Sequence, residues 1–175
     1  MTTNDKDIIN AMQSDAERGF RLLMQSYKEP LYWHIRRLVV SHEDAQDAAQ
    51  EAFIRIFRSF SQYNEQNSLR AWLFRIATNE ALRLIERRRA GTMSIDQIFN
   101  IQADSYINYG DLEAVRLQKA ILSLPPKQQL AFNLRYYDEM DYDEIAKIAD
   151  TTATSVKASY HVAKEKIINY LKKND

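Results

Sequence analysis

The sequence predicts an all-α protein built as two small helical domains, and three observations predict it. Three glycines and three prolines are all that interrupt 175 residues, so long stretches hold nothing that breaks a helix. Apolar residues make up 45% of the chain, enough to bury a real core. They also recur at helical spacing. Ala45, Ala48, Ala49, Ala52, Phe53, Ile56, Phe57 and Phe60 fall at i, i+3, i+4, i+7, i+8, i+11, i+12 and i+15, one stripe of an amphipathic helix.

Taken in order, residues 7–12 and 15–27 read as helices, with Ile8, Ile9, Phe20, Leu22, Leu23 and Tyr27 as core candidates. Pro30 suits the first turn of a further helix running to Val40, since proline is tolerated at a helix start and not inside. Ser41 with Asp44 three residues on forms a capping box for the alanine-rich helix. Residues 62–68 are a polar loop, and 69–89 a long helix. Residues 91–110 lie between two of the glycines, lack any basic residue and show no helical period, the pattern of a linker. Domains of 1–90 and 111–175 follow. In the second, 111–123 is a helix, Leu124-Pro125-Pro126 ends it, and 127–137 is the next. Asp141 with Glu144 caps 142–149. The turn Asp150-Thr151 leads to Thr152, N-cap of a last helix whose inner stripe is Val156, Tyr160, Ala163, Ile167 and Leu171. Two short helices joined tightly, the second polar and basic outside, make a helix-turn-helix.

Several function classes drop out. Without cysteine there are no disulfides or thiolate metal sites. The three histidines stand far apart, no glycine-rich phosphate loop exists, and no nucleophile has a visible base; neither an enzyme, a metal nor a cofactor is expected. No run approaches the ~18–20 apolar residues of a membrane span, and the start lacks signal-peptide blocks, so a cytoplasmic protein without membrane insertion is expected.

Formal charge is zero overall but locally biased. Residues 69–89 carry six arginines against Glu80 and Glu86, a surplus of four. Trp72, Arg75, Asn79 and Arg83 share one face of that helix, opposite Leu69, Leu73, Ile76, Ala77 and Leu84. Such a face suits a nucleic-acid strand, indole stacking on bases and arginine meeting phosphates; an amphipathic helix with a solvated arginine tail reads equally well. The last helix shows Thr154, Ser155, Lys157, Ala158, His161 and Lys164 outward, short donors and cations fit for a major groove, or the solvated face of a bundle. Asp47, Gln50, Glu51 and Ile54 line the outer side of the alanine-rich helix, where a partner helix could dock or water could lie. The acidic run Asp138, Glu139, Asp141, Asp143 and Glu144 should face away from DNA.

Three blocks, in order, resemble bacterial RNA polymerase sigma factors of the extracytoplasmic-function (ECF) group, across nearly the whole chain. Asp47-Ala-Ala-Gln-Glu-Ala-Phe-Ile-Arg-Ile-Phe57 is similar to the segment that docks on the polymerase clamp. Leu69-Arg-Ala-Trp-Leu-Phe-Arg-Ile-Ala-Thr-Asn79 with Arg87-Arg-Arg89 is similar to the strand-melting segment. Leu124-Pro125-Pro126, Leu134-Arg135-Tyr136, Glu144-Ile-Ala146, Ser155-Val-Lys157 and His161-Val-Ala163 are similar to the helix-turn-helix that reads the minus-thirty-five element.

The resemblance implies that Asp47, Gln50, Glu51 and Ile54 bind core RNA polymerase. It implies that Asn64, Trp72, Arg75, Asn79, Arg83, Arg87 and Arg88 hold the opened minus-ten strand of promoter DNA. Thr154, Ser155, Lys157, Ala158, His161 and Lys164 would then meet duplex, and an anti-sigma factor is an expected further partner. Relatives usually carry glycine where Asp150 stands and arginines where Ser159 and Val162 stand, and often a glycine in the minus-ten loop. The rival reading is a stand-alone helix-turn-helix regulator, which has no use for a docking face at 47–51 or a strand face at 72–83. A sigma-like protein that sequesters a partner is a third.

Overall fold

A computed structural model describes residues 4–88 and 111–173. The expected linker at 91–110, Arg89 and the first three residues lie outside them. The described residues form eight α-helices and no strand: α1 (Asp5–Ser14), α2 (Ala16–Val39), α3 (His42–Ser59), α4 (Leu69–Arg88), α5 (Leu112–Leu122), α6 (Pro126–Tyr136), α7 (Tyr142–Ala149) and α8 (Ala153–Lys173), with a 3₁₀ turn at Phe60–Gln62 after α3. None is long and apolar enough to cross a membrane.

One residue separates α1 from α2. The Asp15 N–H donates to Ala11 O at 2.7 Å while its carboxylate accepts from Arg18 N at 3.2 Å, so Asp15 ends one helix and caps the next. The two then fold back to touch at Gly19, where a Cβ would stand 2.3 Å from Met12 N and 2.5 Å from Met12 Cα.

Pro30 does not start a helix: α2 runs through it for 24 residues. Proline there removes the bond to the Ser26 carbonyl, at a cost of about 3 kcal/mol. The stripe Leu23, Tyr27, Leu31, His34, Ile35 and Leu38 is buried on both sides of it, and at about 1.5–3 kcal/mol per large apolar side chain that burial outweighs the lost bond. The helix stops at Val40 instead. Its φ of 71° and ψ of −46°, with Ser41 N donating to Val39 O at 2.8 Å, make a γ-turn of the rare, strained hand. Ser41 Oγ then accepts from Asp44 N at 3.3 Å, the expected cap of α3.

The small side chains of Ala45, Ala48, Ala49 and Ala52 are buried and let α3 lie close against α2 and α4. Phe57, expected on the same inner stripe, is 47% exposed. It leans instead edge-on to Phe20 of α2, centroids 5.3 Å apart. On α4 the expected apolar side is buried or half-buried, and so are Ala71, Phe74, Thr78, Glu80 and Ala81. The reason is that α4 is walled on three sides, by α2, α3 and α7.

In the second half, the carboxylates of Asp111 and Asp141 accept from Ala114 N at 3.1 Å and Glu144 N at 2.8 Å. Thr152 Oγ1 accepts from Ser155 N at 3.1 Å. Asp150 adopts the left-handed conformation, φ 55°, ψ 52°. Ala120, Ile121, Leu124, Phe132, Ala163 and Ile167 form a local core, whereas Leu130, Leu134, Met140, Ile145 and Ile148 belong to one cluster with α1–α4. The two bundles are therefore packed together in this structure.

Two substitutions test these backbone constraints. Gly19→Ala forces Met12 backbone away and should cost about 1–3 kcal/mol in urea unfolding. Asp150→Gly relieves a left-handed non-glycine residue and should add about 0.5–1 kcal/mol, read as a melting temperature a few degrees higher.

Candidate nucleic-acid and polymerase interface

On the outer side of α3, Asp47, Gln50 and Glu51 are exposed and Ile54 is 37% exposed. Asp47, Gln50 and Ile54 border an open groove between α2 and α3 of about 1420 Å³, floored by Phe20, Met24, Tyr32, Phe53 and Phe57. Small residues at 45, 48, 49 and 52 let α3 pack closely on its neighbours, and the larger side chains of α2 and α3 line the groove between them. The mixture of apolar floor and polar rim is that of a protein-docking site.

Along α4 the expected strand face divides. Asn79 and Arg87 are exposed. Trp72 is half-buried, its ring 5.2 Å from Tyr63 and edge-on to Phe60 at 6.1 Å. In that loop Asn64 Oδ1 accepts from Gln66 N at 3.0 Å, an Asx turn, and the Tyr63 hydroxyl donates to Asn67 O at 2.5 Å.

Three arginines of the row already have carboxylate partners. Arg83 Nη1 donates to Glu80 Oε1 at 3.0 Å, Arg88 pairs with Asp44, and Arg75 Nη2 lies 3.8 Å from Asp150 Oδ2. Glu80, only 4% exposed, is held between Arg83 and Arg55. Burial pushes the Asp44 carboxyl up, against the pull of Arg88.

All six residues expected to meet duplex, Thr154, Ser155, Lys157, Ala158, His161 and Lys164, are exposed on α8. Val156, Ala163 and Ile167 are buried beneath them. Tyr160 sits between, stacked on Phe132 at 5.9 Å, and fixes the helix on its bundle. Among the described residues no group of histidines and carboxylates is placed to hold a metal.

A buried polar cluster escaped the sequence. His34 is fully buried, its Nε2 2.7 Å from Thr78 Oγ1, and burial, with Arg37 second, holds its pKa down at about 3. Its contact with Asp138, Nδ1 to Oδ2 at 3.9 Å, is therefore no ion pair. Burial pushes the Asp138 carboxyl up to about 6, against Arg37 and Arg70. The acidic run was expected to face away from DNA; in the structure its Asp138 and Glu144 meet Arg37 and Arg70 of the chain's own first half.

The chain was compared with known proteins. The sigma-70 region 2 family matches residues 23–91 and the sigma-70 region 4 family residues 114–167. The chain is 27% identical to the ECF RNA polymerase sigma factor SigW of Bacillus subtilis (strain 168), over 95% of this chain and 96% of that one. It is 28% identical to the ECF RNA polymerase sigma-E factor of Escherichia coli (strain K12), over 94% and 93%. Its fold is similar to that of CnrH in complex with the cytosolic domain of CnrY, with a TM-score of 0.74, 18% identity, and 96% and 97% of the chains covered. It is also similar to the sigma factor RpoE in complex with the anti-sigma factor NepR from Bartonella quintana, with a TM-score of 0.69, 21% identity, and 87% and 96% covered.

The His34–Asp138 pair makes a signed pH prediction. His34 is depressed, so its contribution is present above pH 6.5 and fades as pH falls. Asp138 is raised, so its contribution is present at low pH and fades as pH rises through about 6. The two oppose each other between about pH 4.5 and 6. Relative to the parent chain, Asp138→Asn should lose about 1 kcal/mol of unfolding free energy per pH unit of acidification in that window, and His34→Gln should gain it. Parallel slopes in urea titrations of all three would refute the two opposed titrations.

Proposed function

The chain belongs to the sigma-70 family, and on that premise we propose which of its surfaces carries each step of transcription initiation. As a family member it is a non-catalytic initiation factor that binds core RNA polymerase and directs it to promoters. We assign residues 1–90 to polymerase docking and strand capture, 91–110 to the linker, and 111–175 to reading the duplex. The two family matches, at 23–91 and 114–167, support those boundaries.

In this reading Asp47, Gln50, Glu51 and Ile54 engage the polymerase along the rim of the α2–α3 groove. Asn64, Trp72, Arg75, Asn79, Arg83, Arg87 and Arg88 face the opened minus-ten strand. Thr154, Ser155, Lys157, Ala158, His161 and Lys164 enter the duplex groove from α8, whose positive dipole end also favours phosphate. With Ser159 and Val162 in place of arginine, fewer phosphates are neutralised, and duplex affinity should depend less on salt than in arginine-bearing relatives. The chain acts where polymerase is, in the cytoplasm. An anti-sigma partner fits the same surfaces, a reading supported by the similar fold of RpoE, solved with the anti-sigma factor NepR.

The observation that favours this over a stand-alone regulator is the α2–α3 groove with its Asp47, Gln50 and Ile54 rim, which a duplex reader does not need. Co-elution with core polymerase tests it, and absence of any core binding would sink it. Asn79→Ala, at an exposed position outside the core, should leave co-elution intact and slow open-complex formation on a promoter template several-fold, about 1 kcal/mol for one lost base-edge or phosphate contact. Equal loss of both activities would instead mark a folding defect.

A further inference from the structure

The outward face of α8 lacks the side chains that most often read bases. Along ATSVKASYHVAKEKIINYLKK there is no arginine to fork onto guanine and no glutamine to pair with adenine. The one asparagine, Asn169, stands near the far end. What the first turns expose instead is short or apolar. Thr154, Ser155 and Ala158 are exposed, and Val162 is 39% exposed and belongs to neither apolar core. Ala158 and Val162 are four residues apart, so they stand one above the other on the helix surface. Lys157, Lys164 and Lys166 surround the pair against the single carboxylate of Glu165, all four exposed, a balance that suits a polyanion.

In a major groove the apolar feature on a base edge is the C5 methyl group of thymine, and a small aliphatic side chain is its matching contact. The rotational setting of α8 is fixed from below. Tyr160 stacks on Phe132 at 5.9 Å and lies 6.2 Å from the Tyr142 ring, while Val156, Ala163 and Ile167 are buried. Val162 therefore keeps its bearing on the exposed side of the helix. Four residues of helix advance about 6 Å, close to two base steps of about 3.4 Å each. We propose that Val162, with Ala158, is a specificity-determining residue of α8, and that the two side chains contact the methyl groups of two thymines one or two base pairs apart. Lys157 and Lys164 meet the flanking phosphates. The inference rests on the duplex-reading role of α8 given above. It adds that this chain selects thymine where an arginine would select guanine.

The complex of the full chain with core polymerase tests this. It is used to enrich duplexes from a pool with about 30 random base pairs, roughly three helical turns. Each thymine of the enriched upstream element is then replaced singly by deoxyuridine, which lacks only the methyl group. Two such replacements should each weaken binding about fourfold, the worth of one buried methyl. Val162→Ala should keep the parent's melting temperature and its co-elution with polymerase. It should weaken binding to the thymine duplex by a similar factor and no longer distinguish thymine from deoxyuridine at one of the two positions. Enrichment with Val162→Arg should replace that thymine by guanine. Deoxyuridine replacements that leave the parent's affinity unchanged overturn the proposal, as does a Val162→Ala chain that still loses fourfold at both positions. In either case, an enriched element whose binding Lys157→Ala weakens leaves the duplex-reading role of α8 standing. If no enriched element responds to Lys157→Ala, that role falls with the thymine contact.

Discussion

Everything else in the molecule depends on the burial of α4 by three neighbours at once. Its apolar side faces α2 and α3, with Phe74 and Thr78 meeting His34, and Arg70 and Arg75 reach the second bundle, which leaves only a narrow exposed edge. A helix held so tightly cannot rotate or slide without breaking several interfaces. The strip from Trp72 through Asn79 to Arg87 therefore keeps a fixed bearing relative to the α2–α3 groove. The two surfaces proposed for docking and for strand capture are thereby geometrically tied.

The same burial explains the electrostatics. A helix with five arginines is packed among carboxylates, most of them distant in sequence: Asp44 holds Arg88, Glu144 holds Arg70, and Glu80, three residues before Arg83, also holds Arg55 of α3. Removing an arginine from such a site leaves a largely buried carboxylate uncompensated, which is more costly than losing a surface pair. The contact between Arg75 and Asp150 is different, since both groups are well exposed, and it contributes little to stability. Pairing strength thus grades along the helix, from the firmly held Arg70 to the loosely held Arg75.

The fold class and most elements were legible because their signals are local. Ser41, Asp141 and Thr152 cap helices as their spacing indicates, and the outward residues of α8 follow from periodicity alone. Pro30 misled because a local rule met a long-range one: a buried stripe spanning 23–38 outweighs a single missing hydrogen bond. Phe57 misled because an inner stripe has meaning only while a neighbour lies opposite. The cluster of His34, Thr78 and Asp138 joins residues 44 and more positions apart, and neither the isolated histidine nor the threonine carries any pattern to read. On α4 the expected face divides, because which arginines are paired depends on partners that only the tertiary structure supplies.

The γ-turn at Val40 bears on how such a protein can diverge. A branched residue in that backbone conformation persists only where the surroundings over-determine it, and it sets the angle at which α3 leaves α2. The mouth of the groove is thus framed by main chain, with the side chains merely upholstering it. Over generations the lining can be retextured, so that one partner is exchanged for another, while the hinge stays fixed. Specificity can drift here without redrawing the frame on which it hangs.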